Sequence, residues 1–340
     1  MQHRLEAGKL LDEKGNLQEA GYAFSLVKEY QRKDIKAAKF RIKEWDYYYF
    51  GNDEYGVALT IDDNSYMSLA SVSFLDFKIG RQVTKSPMGF MPLGKVGFPP
   101  SSVKGDVTLE GKGYSFSFLN DGKKRHLIVR LDNFEDEDGF ECDLTVTSQN
   151  VDSMVIATPF KKDRHFYYNQ KINNLEANGT IKIGRVRYPV SGWQGVLDWG
   201  RGVWTYKNTW YWASLSGISD GHLVGFNLGY GFGDTTAASE NMLFYDTKGY
   251  KMNDVVFDIP KGKNGKEKYM EKWDFHSSDD TIKMTFTPVL DRYDNSNVLL
   301  ISSLQHQVFG YFDGYFLVPK IGRVKISHVL GFAEKVVNKW

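Results

Sequence analysis

The chain has 340 residues, more than one small domain uses at roughly 150 residues each, so two domains or one large β architecture are expected. Its 43 Lys and Arg balance 42 Asp and Glu to a formal charge of +1, which leaves no global field to recruit nucleic acid or an anionic membrane. Cys142 is the single cysteine, excluding an internal disulfide framework and a cysteine zinc site. With no secretion-type leader and no apolar run near about 18 residues, a cytoplasmic protein without an integral membrane segment is expected.

Aromatic residues make up 15% of the chain and 33 glycines supply turns, a bias toward strands over helices. In chain order, residues 1–44 read as an N-terminal extension whose Lys/Arg-rich stretch 26–39 carries one short helix. Partial alternation between turn signals predicts strands over 55–61, 66–77, 113–119, 125–132 and 139–146, with Asn120-Asp121-Gly122 as a hairpin turn. A second series covers 209–216, 222–228, 241–245, 250–257, 268–275, 281–287, 307–317 and 323–332, with the charged run 261–268 as an exposed hairpin loop. Short strands at regular spacing imply barrels or sandwiches, and the best boundary divides 45–182 from 183–340.

The most informative stretch is 192–217. Five of the eight tryptophans fall within the 20 residues from Trp193 to Trp212, interleaved with Asp198, Arg201, Lys207 and Asn208. Gly200 and Gly202 flank Arg201 and permit unusual backbone angles or close approach, so an ordered irregular loop is expected there. On a strand, Trp210, Trp212, Ser214 and Ser216 share one face and grade from indole to hydroxyl, as a pocket wall would. Singly, each tryptophan reads as core. The interleaved charges need partners or a ligand, although Asp198 with Arg201 also reads as a structural ion pair.

Further candidates flank this block. Asn227, Glu240 and Asn241 interrupt strand-like context and read either as ligand-orienting groups or as turn caps. In 165–171, alternation puts His165, Tyr167, Asn169 and Lys171 on one face and Tyr168 on the other. His165 has the right chemistry for proton transfer, although a lone histidine is more often structural, and His306 carries the same ambiguity. No phosphate loop, zinc-protease, calcium-loop or nucleophile-elbow motif is present, so neither a metal nor a cofactor is expected.

The runs Lys43-Glu44-Trp45-Asp46-Tyr47-Tyr48, Phe166-Tyr167-Tyr168-Asn169-Gln170-Lys171, Asp198-Trp199-Gly200-Arg201-Gly202-Val203-Trp204, Asn227-Leu228-Gly229, Glu240-Asn241 and Gly331-Phe332-Ala333-Glu334 span nearly the whole chain. With them the sequence resembles a bacterial family known as domain of unknown function 2804. More remotely it is similar to the AttH and carotenoid 1,2-hydratase group. That resemblance implies an all-β fold of two lipocalin-like antiparallel barrels or sandwiches packed together, with little helix. It also implies an acidic residue that protonates an unsaturated substrate, for which Asp198 is the nearest analogue.

Two functions follow as expectations. In the first, Asp198 acts as acid, Glu240 or His165 assists, and Arg201 tunes Asp198. Trp199, Trp204, Trp210 and Trp212 stabilise a cation, and Tyr168, Asn169, Lys171, Asn227 and Asn241 complete the substrate contacts, for a hydratase, isomerase or glycoside-cleaving enzyme. In the second, the same pocket holds a lipid or other hydrophobic ligand without chemistry. Either way the partner is a small molecule, hydrophobic or carbohydrate, and the oligomeric state is left open.

Overall fold

The computed structural model describes residues 2–298 and 301–339, and most of its strands belong to two antiparallel sheets. The first runs Arg81–Lys85, Met67–Asp76, Tyr55–Asp63, Ile42–Gly51, Val186–Val203, Phe166–Ile183, Asp138–Ser148, Arg125–Glu135, Tyr114–Asn120 and Val107–Gly111. It curls on itself, so that Arg81 on one edge strand pairs with Glu135 near the other edge. The second runs Lys248–Lys251, Met242–Tyr245, His222–Tyr230, Lys207–Ser219, Gly322–Lys339, Ile301–Val318, Ile282–Val298, Trp273–Ser277 and Val255–Asp258. Its ends also approach, with the Phe257 N–H donating to Tyr230 Oη at 3.4 Å. The all-β expectation, with little helix, is what the chain adopts.

Four sequence expectations change. The 250–257 strand divides into Lys248–Lys251 and Val255–Asp258, which lie at opposite edges of the second sheet. The 26–39 helix gives way to a two-residue strand, Lys28–Glu29, and a 3-10 turn at Arg32–Asp34. Lys28, Tyr30 and Ile35 are the residues buried there, and on a helix Tyr30 would lie opposite the other two. The 182/183 division falls inside a long hairpin, because Phe166–Ile183 pairs with Val186–Val203 and both belong to the first sheet. The change of sheet comes at residues 204–206.

The fourth change concerns the expected loop around Arg201, which is continuous strand. Its glycines serve close approach: a Cβ on Gly200 would overlap the Trp45 indole, and one on Gly202 would overlap the Phe166 carbonyl oxygen. Gly200→Ala should therefore cost about 1–3 kcal/mol of stability through overpacking. An unchanged urea-unfolding midpoint would contradict that account.

Each sheet encloses an apolar core, and a further apolar layer lies between them. Alternation decides which side chains enter which layer. On Ile42–Gly51, Ile42, Tyr48 and Phe50 enter the first sheet's interior, while Trp45, Tyr47 and Tyr49 face the second sheet.

Candidate active site

Four strands meet where the sheets face: Ile42–Gly51 beside Val186–Val203, and Lys207–Ser219 beside Gly322–Lys339. Register pairs Tyr47 with Asp198 and Trp212 with Glu334, and the Tyr47 and Trp212 rings meet across the gap at 6.0 Å. The same row thus receives a carboxyl from each sheet. Two residues along, about 7 Å away at strand spacing, Trp45 lies opposite Gly200 and Trp210 opposite Val336. Trp204 bridges these indoles, 5.0 Å from Trp45 and 5.8 Å from Trp210. In the other direction Tyr49 lies opposite Val196 and Ser214 opposite Phe332.

Asp198 is held by its neighbour strand. Oδ2 meets Lys171 Nζ at 2.8 Å, and Oδ1 accepts from Asn169 Nδ2 at 2.5 Å. Asn169 Nδ2 also donates to the Trp199 carbonyl at 2.9 Å, so two acceptors set the orientation of that amide. Its Oδ1 has no partner among the described residues and stays an unused acceptor beside Asp198. Lys171 Nζ lies 3.9 Å from the Trp212 ring centroid, joining an ion pair to an indole face.

The Trp212 indole donates Nε1–H to Asn227 Oδ1 at 2.7 Å, and Asn227 Nδ2 donates to the Glu240 carbonyl at 2.8 Å. The Glu240 carboxyl lies against Gly229, where a Cβ would stand 2.5 Å from Oε1, so the glycine makes room for the acid. Glu334 Oε1 accepts from Trp210 Nε1 at 2.8 Å, and Oε2 accepts from Gln307 Nε2 at 3.2 Å. Burial in this apolar layer raises the Glu240 carboxyl above its ordinary value and Glu334 to about 7. The Lys171 ammonium opposes both shifts and the Asp198 charge adds to them. Tyr167 is surrounded by this acid group: burial first, then the charges of Glu240, Asp198 and Glu334, hold its hydroxyl well above the ordinary phenol value.

The structure thus brings together Asp198, Glu240, Trp204, Trp210, Trp212, Asn169, Lys171 and Asn227. It separates five other candidates from them. Arg201 and Trp199 fall on the opposite face of the Asp198 strand, so Arg201 does not pair with Asp198. Its guanidinium, 0% exposed, bonds Asp46 Oδ1 at 3.0 Å and the Trp45 carbonyl at 2.7 Å, and lies 4.2 Å from the Trp199 ring. Tyr168 points into the same interior, where its hydroxyl donates to the Lys28 carbonyl at 3.1 Å.

His165 precedes the strand end that pairs with Val203, six residues from Lys171 and so roughly 20 Å along the strand. Its ring bonds the Asp163 carbonyl at 2.9 Å, and burial lowers its proton affinity. Asn241 holds backbone, accepting from Gly229 N of the strand His222–Tyr230 at 2.7 Å and donating to the Asn253 carbonyl at 3.0 Å. His306 is tied to Asp291 at 2.7 Å and stacked on Tyr269. Tyr167 lies on the face expected to enter the site, whereas Glu334, Trp45, Tyr47 and Gln307 are not singled out by the sequence reading. The available signal was an acid inside the apolar run Val329 to Val337, and the aromatic alternation of 45–49.

Among the described residues no group of three or more His, Cys, Asp or Glu is placed to hold a metal ion, and no helix is long and apolar enough to cross a membrane. No curated protein matches the chain. Among solved structures, an AttH-like protein from Nitrosomonas europaea aligns with a TM-score of 0.55 at 14% identity, covering 91% of this chain and 95% of its own. Kievitone hydratase from Nectria haematococca aligns with a TM-score of 0.48 at 11% identity, covering 88% of each chain. The first likeness confirms the expected fold of two lipocalin-like sheets. The model of the family described as domain of unknown function DUF2804 matches residues 2–340, and the chain belongs to that family.

Proposed function

We propose that this protein is an acid/base enzyme that adds water to, or moves a proton within, an unsaturated small molecule bound between its sheets. The observation that carries the reading is a carboxyl pair: Glu334, raised to about 7, shares a Trp-lined layer with Asp198, which is paired to Lys171. Near neutral pH such a pair offers one acid and one base. The proton-donating role expected of Asp198 passes to Glu334.

In hydration, Glu334 gives its proton to one carbon of a double bond, and the neighbouring carbon becomes cationic beside the indole faces of Trp210 and Trp212. Water bonds to that carbon through oxygen and loses a proton to Asp198. The enzyme is restored when the proton returns from Asp198 to Glu334 through solvent. If the cation instead loses a proton from carbon to Asp198, the product is an isomer. A mere store for an apolar ligand is disfavoured, because three carboxyls and a lysine in the layer would each cost desolvation without serving it.

Native mass spectrometry of gently purified protein should name the ligand class. With that substrate, Asp198→Asn should lower turnover by about 10²–10⁴-fold while the circular dichroism spectrum stays native. Undiminished turnover would remove Asp198 from the reaction.

A further inference from the structure

Beyond the row of Tyr49, Val196, Ser214 and Phe332 lies a cleft of about 260 Å³, walled by residues 192–196 of the first sheet and 214–218 and 328–332 of the second. On all four strands the cleft's inner row is one same-face step from the proposed chemistry: Tyr49 to Tyr47, Val196 to Asp198, Ser214 to Trp212, Phe332 to Glu334. That step is about 7 Å, so one small molecule can span both.

The chemistry of the walls is selective. No Lys or Arg lines the cleft, its one histidine, His328, is stacked on Tyr311 at 3.8 Å, and Asp53 is also in the lining, which disfavours an anion. Tyr49 and Phe332 line it with aromatic carbon, and at Gly192 a Cβ would meet open space. Two polar groups are unspent. Tyr49 is 5% exposed, its Oη lies over Gly51, and neither Tyr49 Oη nor Gln194 Oε1 has a hydrogen-bond partner among the described residues. Gly51 and Gln194 are themselves opposite one another in the sheet, so both groups belong to one end of the cleft. Buried polar groups in native proteins are ordinarily paired, and a pair of exceptions at one cleft marks a place where a ligand completes them. A volume at or below the small end of ordinary ligand sites suits a single ring.

The geometry points to the cleft as the subsite for a neutral, hydroxyl-bearing ring of the substrate, bonded by Tyr49 and Gln194, with the reacting part reaching past Val196 to Asp198 and Glu334. As a substrate subsite it rests on the acid/base reading; as a binding site it is tested separately.

The test is saturation-transfer NMR with resorcinol as probe and benzoate as the charged control. The protein should bind resorcinol and should bind benzoate about tenfold more weakly. Gln194→Trp and Ile218→Trp fill the cleft from opposite walls and should each weaken resorcinol about tenfold. Ile218 is 63% exposed, so its variant keeps the test open if Gln194→Trp does not fold. Tyr49→Phe should weaken resorcinol without loss of stability, since the hydroxyl has no protein partner to lose. Absence of resorcinol binding, or binding indifferent to both cleft-filling variants, overturns the subsite. Asp198→Asn should leave resorcinol binding intact. If it does so and turnover is also intact, the cleft stands and the acid/base reading falls; if turnover is lost but the cleft variants are silent, only the subsite falls.

Discussion

Arg201→Met is expected to cost about 3–5 kcal/mol of folding stability, because it removes one partner from a buried ion pair and leaves the other uncompensated. Arg201 is fully enclosed, and Asp46 and Glu44 beside it are almost as deeply buried. Burial already raises the Asp46 carboxyl, with the Arg201 charge as the chief opposing influence, so without the guanidinium Asp46 would take up a proton. Neutralisation caps the loss but does not restore the bonds to the Trp45 and Gly200 carbonyls. Lysine should rescue only in part: one nitrogen, Nη1, reaches those oxygens and Asp46, but an ammonium has no second nitrogen for the Pro99 carbonyl that Nη2 meets at 3.3 Å. Urea unfolding reads the effect directly. A variant of unchanged stability but lost turnover would instead restore Arg201 as the group that tunes Asp198.

Arg201 also marks where sequence reasoning stops. Its glycine flanks suggest a loop, and in a loop Asp198 and Arg201 can meet. In a strand, three positions apart means opposite faces, and one carboxylate goes between the sheets while the guanidinium goes inside the first. The long strand is hard to see because Asp198 to Val203 is buried throughout, leaving no polar alternation to detect. Ile42–Gly51 is buried on both faces in the same way and was not anticipated as a strand.

Along Lys207–Ser219 simple alternation sufficed, although both faces are largely buried. Trp210, Trp212, Ser214 and Ser216 do share the face between the sheets, with the indoles at the carboxyl row and the serines at the cleft. Local pattern marks Glu334 only as an acid inside an apolar run and says nothing of its partner. Glu334 reaches Trp210 across 124 residues of sequence, through the pairing of the last strand with Lys207–Ser219. Such registers are set by the packing of whole sheets rather than by any motif.

Glu334→Gln should act on both stability and chemistry, with a sign that identifies the group. A carboxyl held at about 7 in the folded chain, against an ordinary 4.5, binds its proton more readily when folded than when unfolded between those values. The native state then loses stability as pH rises through that window, by about 3 kcal/mol in full, and loses no more from this group above it. Glutamine cannot titrate. The variant should therefore gain about 3 kcal/mol relative to the parent between pH 4.5 and pH 8, whatever its offset at the acid end. Urea midpoints of both proteins across this range measure the difference without any substrate, and parallel curves would show that Glu334 is not a proton holder. With substrate in hand, parental turnover should fall as pH rises through about 7, as the acid form of Glu334 is lost. Glutamine should lower turnover by about 10²–10⁴-fold and remove that limb of the profile. Trp210→Phe separates position from charge: it deletes the indole N–H that favours the ionised carboxylate, so the limb should move to higher pH rather than disappear.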